Sequence, residues 1–462
     1  MSDFTTKYLT GKAIDTLKSK FREFFSDPGI SNIGDIIRFE HEIDSIEPIV
    51  WLINQDADYK LFWSDRNGAY QLAGIGEADT ISCNTLDEFK IKLNSCYKSL
   101  NSNDSGLKYF GGISFYKNGV RSREWSKFSN FRFHIPACEI YCKNGKTFFA
   151  LNYKIKENAK TEDIICEVEK VFDDIEFNIS GDLSDLPGII KREDLTSGKA
   201  WEQKIGRIKN EIKNERIKKL VLAKKSVFQL ENDLEPGLIT YLLNKNKINS
   251  FTFYFQPGND ISFVGNSPEL LYKRTGNKII SEALAGTRER GKTDEEDRKI
   301  EKELLSSIKD RGEHKIVQDY IEETLTLISK SSLKESRVTV LKLPKVQHLN
   351  CRISSVLKDE ISDFDILSKL HPTPAVGGYP KEESLEKISE IEQFDRGWYG
   401  GAAGWIGRNN AEFAVGIRSG LISNSSMTLF AGAGIVEGSD PAEEWNESEN
   451  KMLNFLRFFE FK

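Results

Sequence analysis

Three glycine-rich segments near the C-terminal end, WYGGAAGWIG, FAVGIRSG and LFAGAGIVEG, constrain the fold more than any other feature of this chain. Each reads as a strand. A strand so rich in glycine either packs tightly against its neighbour or brings its backbone close to a ligand. The first part of the chain points the same way. PIVWLINQ, YKLFWSD, AYQLAGIG, YFGGISFY and FRFHIPACEIYCKNGKTFFALNYKI read as strands, many ending in Asn-Gly, Asp or Gly turn signals. DTLKSKFREFF, TLDEFKIKLNSCYKSL and TEDIICEVEKVFDDI read as helices among them. Runs of strands with flanking helices predict an α+β protein with a large antiparallel sheet content.

The polar stretch ISGDLSDLPGIIKREDLTSGKA is the best linker. It divides a β-rich half, residues 1–195, from a second region, residues 196–462. In the second region Trp201, Ile205, Ile208 and Ile212 recur at helical spacing and predict a core-packing face. RIKKLVLAKKSVFQL, SFTFYFQP, ISFVGNSPELLYKRTG and KIISEAL read as strands, and a long charged helix begins near Asp294. A last helix starts at Ser439 or Asp440, with Pro441 in its first turn.

Composition excludes several classes. With a net charge of −6, and 65 basic residues scattered among 71 acidic ones, a nucleic-acid-binding surface is not expected. The N-terminal MSDFTTKYLTGKAIDTLKSKF has no uninterrupted apolar run, so neither a secretory leader nor a membrane span is expected, and the reading is cytoplasmic. Cys83, Cys96, Cys138, Cys142, Cys166 and Cys351 form no C-x-x-C pair and read as buried free thiols of a reducing compartment. The 5 histidines lack metal-type spacing, which argues against zinc.

Two acidic pairs carry the first chemical signal. Asp310 and Glu313 lie in SSIKDRGEHKIVQDY, and Glu444 and Glu447 in SDPAEEWNESENKM. The i, i+3 spacing puts each pair on one helix face. Two such faces brought together would form a four-carboxylate pocket suited to a hard cation such as Mg²⁺, which uses one or two carboxylates and keeps several waters. Solvated helix faces are the alternative.

Other residues also admit two readings. Lys219, in KKLVLA, shares a strand face with Val221 and Ala223. Loss of solvation there would lower its pKa and suit a general base, unless the side chain reaches solvent at the sheet end. Glu269, in GNSPELLYKR, is a candidate acid with a raised pKa, or a turn carboxylate. In EALAGTRERG, Leu284, Gly286 and Thr287 precede the charged helix, with Gly286 permitting a tight turn and Thr287 offering a hydroxyl. Arg418, between Gly416 and Gly420, is a carboxylate clamp or a structural ion pair. Tyr399 donates to the same anion or packs. Lys451 shares a helix stripe with Glu444 and Glu447, as a surface pair or facing a pocket.

Taken in order, KKLVLAKK, GNSPELL, ALAGTRERG, KDRGEHKIV, HPTPAVGG, WYGGAAGW, GIRSG and AGAGIVEGSDPAEEWNE resemble the chorismate-utilising enzymes, which include isochorismate, salicylate, anthranilate and aminodeoxychorismate synthases. PIVWLINQ, FWSDRNGAYQLAGIGEA and YFGGISFY look like the menaquinone-type isochorismate synthases. The resemblance implies two packed, mostly antiparallel sheets flanked by helices, with both halves of the chain in one intertwined body. It implies Lys219 as the base that activates water for attack at C2 of chorismate, and Glu269 as the acid that protonates the departing C4 hydroxyl. Glu313 and Glu447 match Mg²⁺ ligands, and Asp310 and Glu444 match acids that hold its waters. Thr287, Tyr399, Arg418, Gly432 and Lys451 match substrate-binding groups, and His371 lies near the reacting ring in relatives. Lys219 stands where the ammonia-using synthases resemble one another in having glutamine. Leu284 stands where aminodeoxychorismate synthases have their lysine motif. The expectation is therefore a Mg²⁺-dependent isochorismate synthase for menaquinone or phylloquinone synthesis, with salicylate synthase as the alternative. Chorismate is the expected partner, with no nucleic acid, membrane or obligatory amidotransferase subunit, in a monomer or homodimer.

Overall fold

The computed structural model describes residues 7–8, 11–26, 36–101, 106–116, 122–156, 160–176, 178–179, 185–343 and 345–462. Part of the linker stretch, residues 180–184, lies outside them. Two large sheets dominate, and every ladder between their strands is antiparallel. The 12-stranded sheet runs in the order Ile189–Asp194, Lys219–Leu230, Ser426–Ile435, Ser419–Ser423, Ser262–Ser267, Phe251–Pro257, Tyr59–Ser64, Tyr70–Ile75, Cys138–Lys143, Lys146–Lys154 and Ile36–Ile43, with Gly378–Tyr379 added to the Lys219 strand. The 10-stranded sheet runs Lys334–Glu335, Val346–Val356, Lys278–Glu289, Leu270–Thr275, Asn410–Val415, Ala402–Gly407, Lys108–Ile113, Phe131–Ile135 and Asp79–Cys83, with Thr339–Lys342 on the Val346 strand.

Both sheets draw strands from before and after residue 195. Phe251–Pro257 pairs with Tyr59–Ser64, and Ala402–Gly407 with Lys108–Ile113. Between the sheets lies an aromatic core. Trp398 sits 5.6 Å from Phe255 and 6.0 Å from Phe263, ring to ring, and Trp63, Phe110, Trp125 and Phe253 are buried beside them. The glycine-rich strands use both of their options. At Gly404 a Cβ would lie 2.1 Å from the Glu412 carbonyl, so only glycine lets the strands meet. Gly432 and Gly434 instead bring backbone to a cleft.

The helices on the outer faces form as their caps dictate. Trp201, Ile205 and Ile208 of helix Gly198–Lys213 are buried, and Trp201 meets Trp445 of the last helix edge-on at 5.8 Å. That last helix, Pro441–Leu456, is capped by Asp440, whose carboxylate accepts from the Ala442 and Glu443 amides.

The structure corrects four local expectations. PIVWLINQ contains a helix, Pro48–Ile53, because Pro48 takes the first helical position after Glu47 and its apolar run is buried on tertiary contacts. ISFVGNSPELLYKRTG is two strands, Ser262–Ser267 and Leu270–Thr275, in different sheets, and Pro268 and Glu269 form the crossing. The long charged helix breaks at Ser307, which is extended and caps a second helix, Ile308–Ile328, by accepting from the Asp310 amide. The thiols are free, but Cys166 is exposed and Cys142 only half-buried.

Candidate active site

A cleft opens beside the point where the chain crosses between sheets, and among the described residues its lining lies between Lys219 and Lys451. Lys219 is the first residue of its strand and only 1% exposed. Its Nζ lies 2.9 Å from Glu313 Oε1, so it is a buried lysine paired with a carboxylate rather than a sheet-end lysine in solvent. Val221, on the same strand face, also lines the cleft, as alternation requires.

Glu269 is buried in the crossing segment. Its amide donates to Ser267 Oγ, and its carbonyl accepts from the Val415 amide at 3.0 Å. Burial pushes its carboxyl up to about 8, against the pull of the Lys219 and Lys451 charges. At neutral pH it therefore holds a proton that it can give away.

Leu284 and Thr287 stand three apart on one strand, which would put them on opposite faces. A bulge between Ala285 and Thr287, with Gly286 at φ +73°, inserts the extra residue that lets both line the cleft. Thr287 Oγ1 lies 3.0 Å from His348 Nδ1 on the neighbouring strand.

Arg418 adopts φ +51°, an uncommon conformation for a side chain of its size. Among the described residues its guanidinium has no hydrogen bond or ion pair, and burial lowers its pKa to about 10 despite the attraction of Glu447. A half-buried cation without a partner among the described residues, facing a cleft, suits an anion. Lys451 Nζ donates to Glu447 Oε1 at 2.6 Å and to the Gly432 carbonyl at 2.7 Å. Tyr399 is buried with its ring stacked on Phe430, centroids 5.3 Å apart, and a Cβ on Gly432 would press to 3.0 Å from its hydroxyl. At Gly434 a Cβ would come within 2.4 Å of Glu313 Oε1.

The two acid pairs lie on the helices Ile308–Ile328 and Pro441–Leu456. Asp310 and Glu444 lie in the first turns of their helices, where free amides favour anions. Glu313 and Glu447 line the cleft itself. The four do not merge into one cluster, however. Among the described residues no group of three or more His, Cys, Asp or Glu side chains is arranged to hold a metal ion. Each acid has its own cation: Lys219 on Glu313, Lys451 on Glu447, Arg288 on Asp310 at 2.6 Å and Lys309 on Glu444 at 3.2 Å. Two hard oxygen donors on one cleft wall still fit Mg²⁺, which takes one or two protein carboxylates and completes its shell with water and substrate oxygens.

His371 is not in the cleft. It is fully buried at the end of helix Asp363–Leu370, its Nε2 is 3.3 Å from the Ser114 carbonyl, and its own carbonyl accepts from Lys381. The histidine that lines the cleft is His348, which sequence reading missed. Burial, reinforced by Arg418 and Lys451, pulls its pKa down to about 3, so it is neutral. Its Nε2 has no hydrogen-bond partner among the described residues. The only sequence signal is a histidine in the strand VQHLNCRISSV, and pairing with Thr287 depends on cross-strand register. Ala375, Val376, Ile417 and Phe430, apolar walls of the cleft, lie within quoted motifs but were not singled out as residues.

A proton-bearing carboxyl, a lysine, two carboxylates and an unpaired arginine around one cleft define an enzyme that does acid–base chemistry on an anionic substrate. The family model described as "Chorismate binding enzyme" matches residues 27–460. The chain is 31% identical to the isochorismate synthase MenF of Bacillus subtilis (strain 168) over 439 residues, 91% of this chain and 93% of that protein. It is 33% identical to the chloroplastic isochorismate synthase of Catharanthus roseus over 407 residues, 86% of this chain and 70% of that one. Its fold superposes on the menaquinone-specific isochorismate synthase MenF of Escherichia coli with a TM-score of 0.85 at 24% identity, covering 97% of this chain and 100% of that one. The chain belongs to the chorismate-binding enzyme family.

Proposed function

We propose that this cleft converts chorismate to isochorismate. The observation that carries the reading is the pairing of opposite acid–base roles in one cleft, with Glu269 holding its proton up to about pH 8 beside the buried amine Lys219. Lys219 takes a proton from the water that attacks C2, and Glu269 gives its proton to the hydroxyl leaving C4. Arg418 and Lys451 bind the carboxylates of the dianionic substrate. Thr287, Tyr399 and the backbone at Gly432 hold the enolpyruvyl part, and Leu284 closes an apolar wall. His371 has no role at the ring in this arrangement. Mg²⁺ held by Glu313 and Glu447 would orient and polarise the ring carboxylate. Asp310 and Glu444, braced by Arg288 and Lys309, stand behind those ligands. The cleft residues all fall in the region 196–462, which supports assigning catalysis to that region and a supporting role to residues 1–195.

No helix among the described residues is long and apolar enough to cross a membrane. A cytoplasmic enzyme supplying menaquinone or phylloquinone synthesis, without an amidotransferase subunit and as a monomer or homodimer, completes the proposal.

The test is direct. Purified protein is incubated with chorismate and Mg²⁺, with and without EDTA, and the products are resolved by HPLC. Metal-dependent isochorismate without pyruvate is expected. Salicylate with pyruvate would replace the reading by the salicylate synthase alternative, and no conversion would overturn it. Glu313→Gln and Glu447→Gln should each raise the Mg²⁺ concentration for half-maximal activity by about 10–100-fold. An unchanged Mg²⁺ titration would remove them from the metal site.

A further inference from the structure

Among the described residues the first half of the chain lines none of the cleft, yet one of its side chains reaches the segment that holds Glu269. Arg66 sits in the turn between the strands Tyr59–Ser64 and Tyr70–Ile75. Its Nη2 donates to the Pro268 carbonyl at 2.8 Å and to Glu282 Oε2 at 2.7 Å. Its guanidinium lies over the Phe251 ring, 5.1 Å from the centroid. Pro268 is the residue before Glu269, in the crossing between sheets, where no ladder holds the chain. Glu282 is buried on the strand Lys278–Glu289, on the same face as the cleft residue Leu284. Its other oxygen is 3.2 Å from Arg352.

We propose that Arg66 and Glu282 form a positioning pair for Glu269, through which the N-terminal half sets the placement and proton affinity of the catalytic acid. This rests on the reading of Glu269 as the acid. Arg66 ties the carbonyl preceding Glu269 to a carboxylate anchored in the second sheet, so the crossing cannot shift without breaking a charge-assisted bond. Charged groups act on Glu269 from four directions. Lys219 comes from its own strand, Lys451 from the last helix, Glu282 from the strand beside Leu284, and Arg66 from the turn of the N-terminal half. Glu282 favours the protonated form, and the three cations oppose it.

The experiment compares the pH dependence of kcat and KM in the full-length protein for Arg66→Met, Arg66→Lys, Glu282→Gln and Glu269→Gln. Methionine keeps contact with Phe251 and removes the charge. In wild type, kcat should fall as pH rises through about 8, where Glu269 loses its proton. Arg66→Met should lower kcat about 10-fold or more with KM within about 3-fold, and move the alkaline limb to higher pH. Arg66→Lys should recover part of kcat. Glu282→Gln keeps an acceptor for Arg66 and should move the limb to lower pH. Opposite displacements of the limb would support the pair, because loss of packing alone cannot produce them. An unmoved limb in both variants, or equal displacement in both, would overturn it. If Glu269→Gln itself retains wild-type kcat and limb, the acid assignment has failed, independently of what Arg66 does.

Discussion

Lys219→Ala is expected to lower kcat by about 1,000-fold, within the range that general acid–base groups contribute, while the protein stays folded. The amine is 1% exposed, lines the cleft and pairs with Glu313, so its chemistry is directed into the cleft. The structural cost is limited. The Glu313 carboxylate left behind is on the cleft wall, where water can reach it, so the loss should be about 1–2 kcal/mol and not the larger penalty of a sealed unpaired charge. Steady-state turnover of chorismate, with circular dichroism and thermal melting as controls, measures both. Wild-type kcat in a folded variant would sink the base assignment.

Glu269→Gln should have the second large effect, with opposite signs for activity and stability. Glutamine keeps the shape and hydrogen-bonding capacity but cannot donate a proton to a leaving hydroxyl, so kcat should fall about 100- to 10,000-fold. Stability should rise. In the fold Glu269 keeps its proton to about pH 8, whereas its ordinary value is 4.5. Below pH 4.5 both folded and unfolded chains hold the proton, and the residue costs nothing. Between the two values the unfolded chain releases a proton that the folded chain retains, so wild-type stability falls as pH rises, and above about pH 8 the loss is complete. The glutamine side chain titrates in neither state and escapes this loss. Each pH unit corresponds to about 1.4 kcal/mol, so the variant should gain on the order of 3–5 kcal/mol at about pH 8 and show no gain at about pH 4. Thermal melts across that range would show the gap opening with pH. A variant no more stable than wild type at the alkaline end would mean that Glu269 is already ionised. This is the general trade in which a strained or desolvated functional group lowers stability.

The two effects share a cause. The crossing between sheets carries Glu269 into a largely buried place at the cleft wall, and the same desolvation that destabilises the carboxylate makes the carboxylic acid available at neutral pH.

Much of this was local enough to be read from the chain. Helix starts were legible where a cap and a proline coincide, as at Asp440 and Pro441. The acid pairs were legible because i, i+3 spacing fixes a helix face wherever the helix lies. Alternation along KKLVLA placed Lys219 and Val221 together on one face, and motif order led to the family. Where local signals conflicted, reading failed. PIVWLINQ has strand composition, but a proline at the first helical position and burial on all sides made it a helix. GNSPELL looked continuous because nothing in it records that its two ends join different sheets.

The sequence by itself determined most element types, the acid pairs, the candidate base and acid and the family, since each depends on residues near one another in the chain. Only the tertiary structure decided that His348 and not His371 faces the cleft, that each metal-type carboxylate carries its own cation, and that Arg66 stands behind Glu269. Those facts depend on which residues, hundreds of positions apart, antiparallel register brings within a few ångströms, and on how far that packing removes each charge from water.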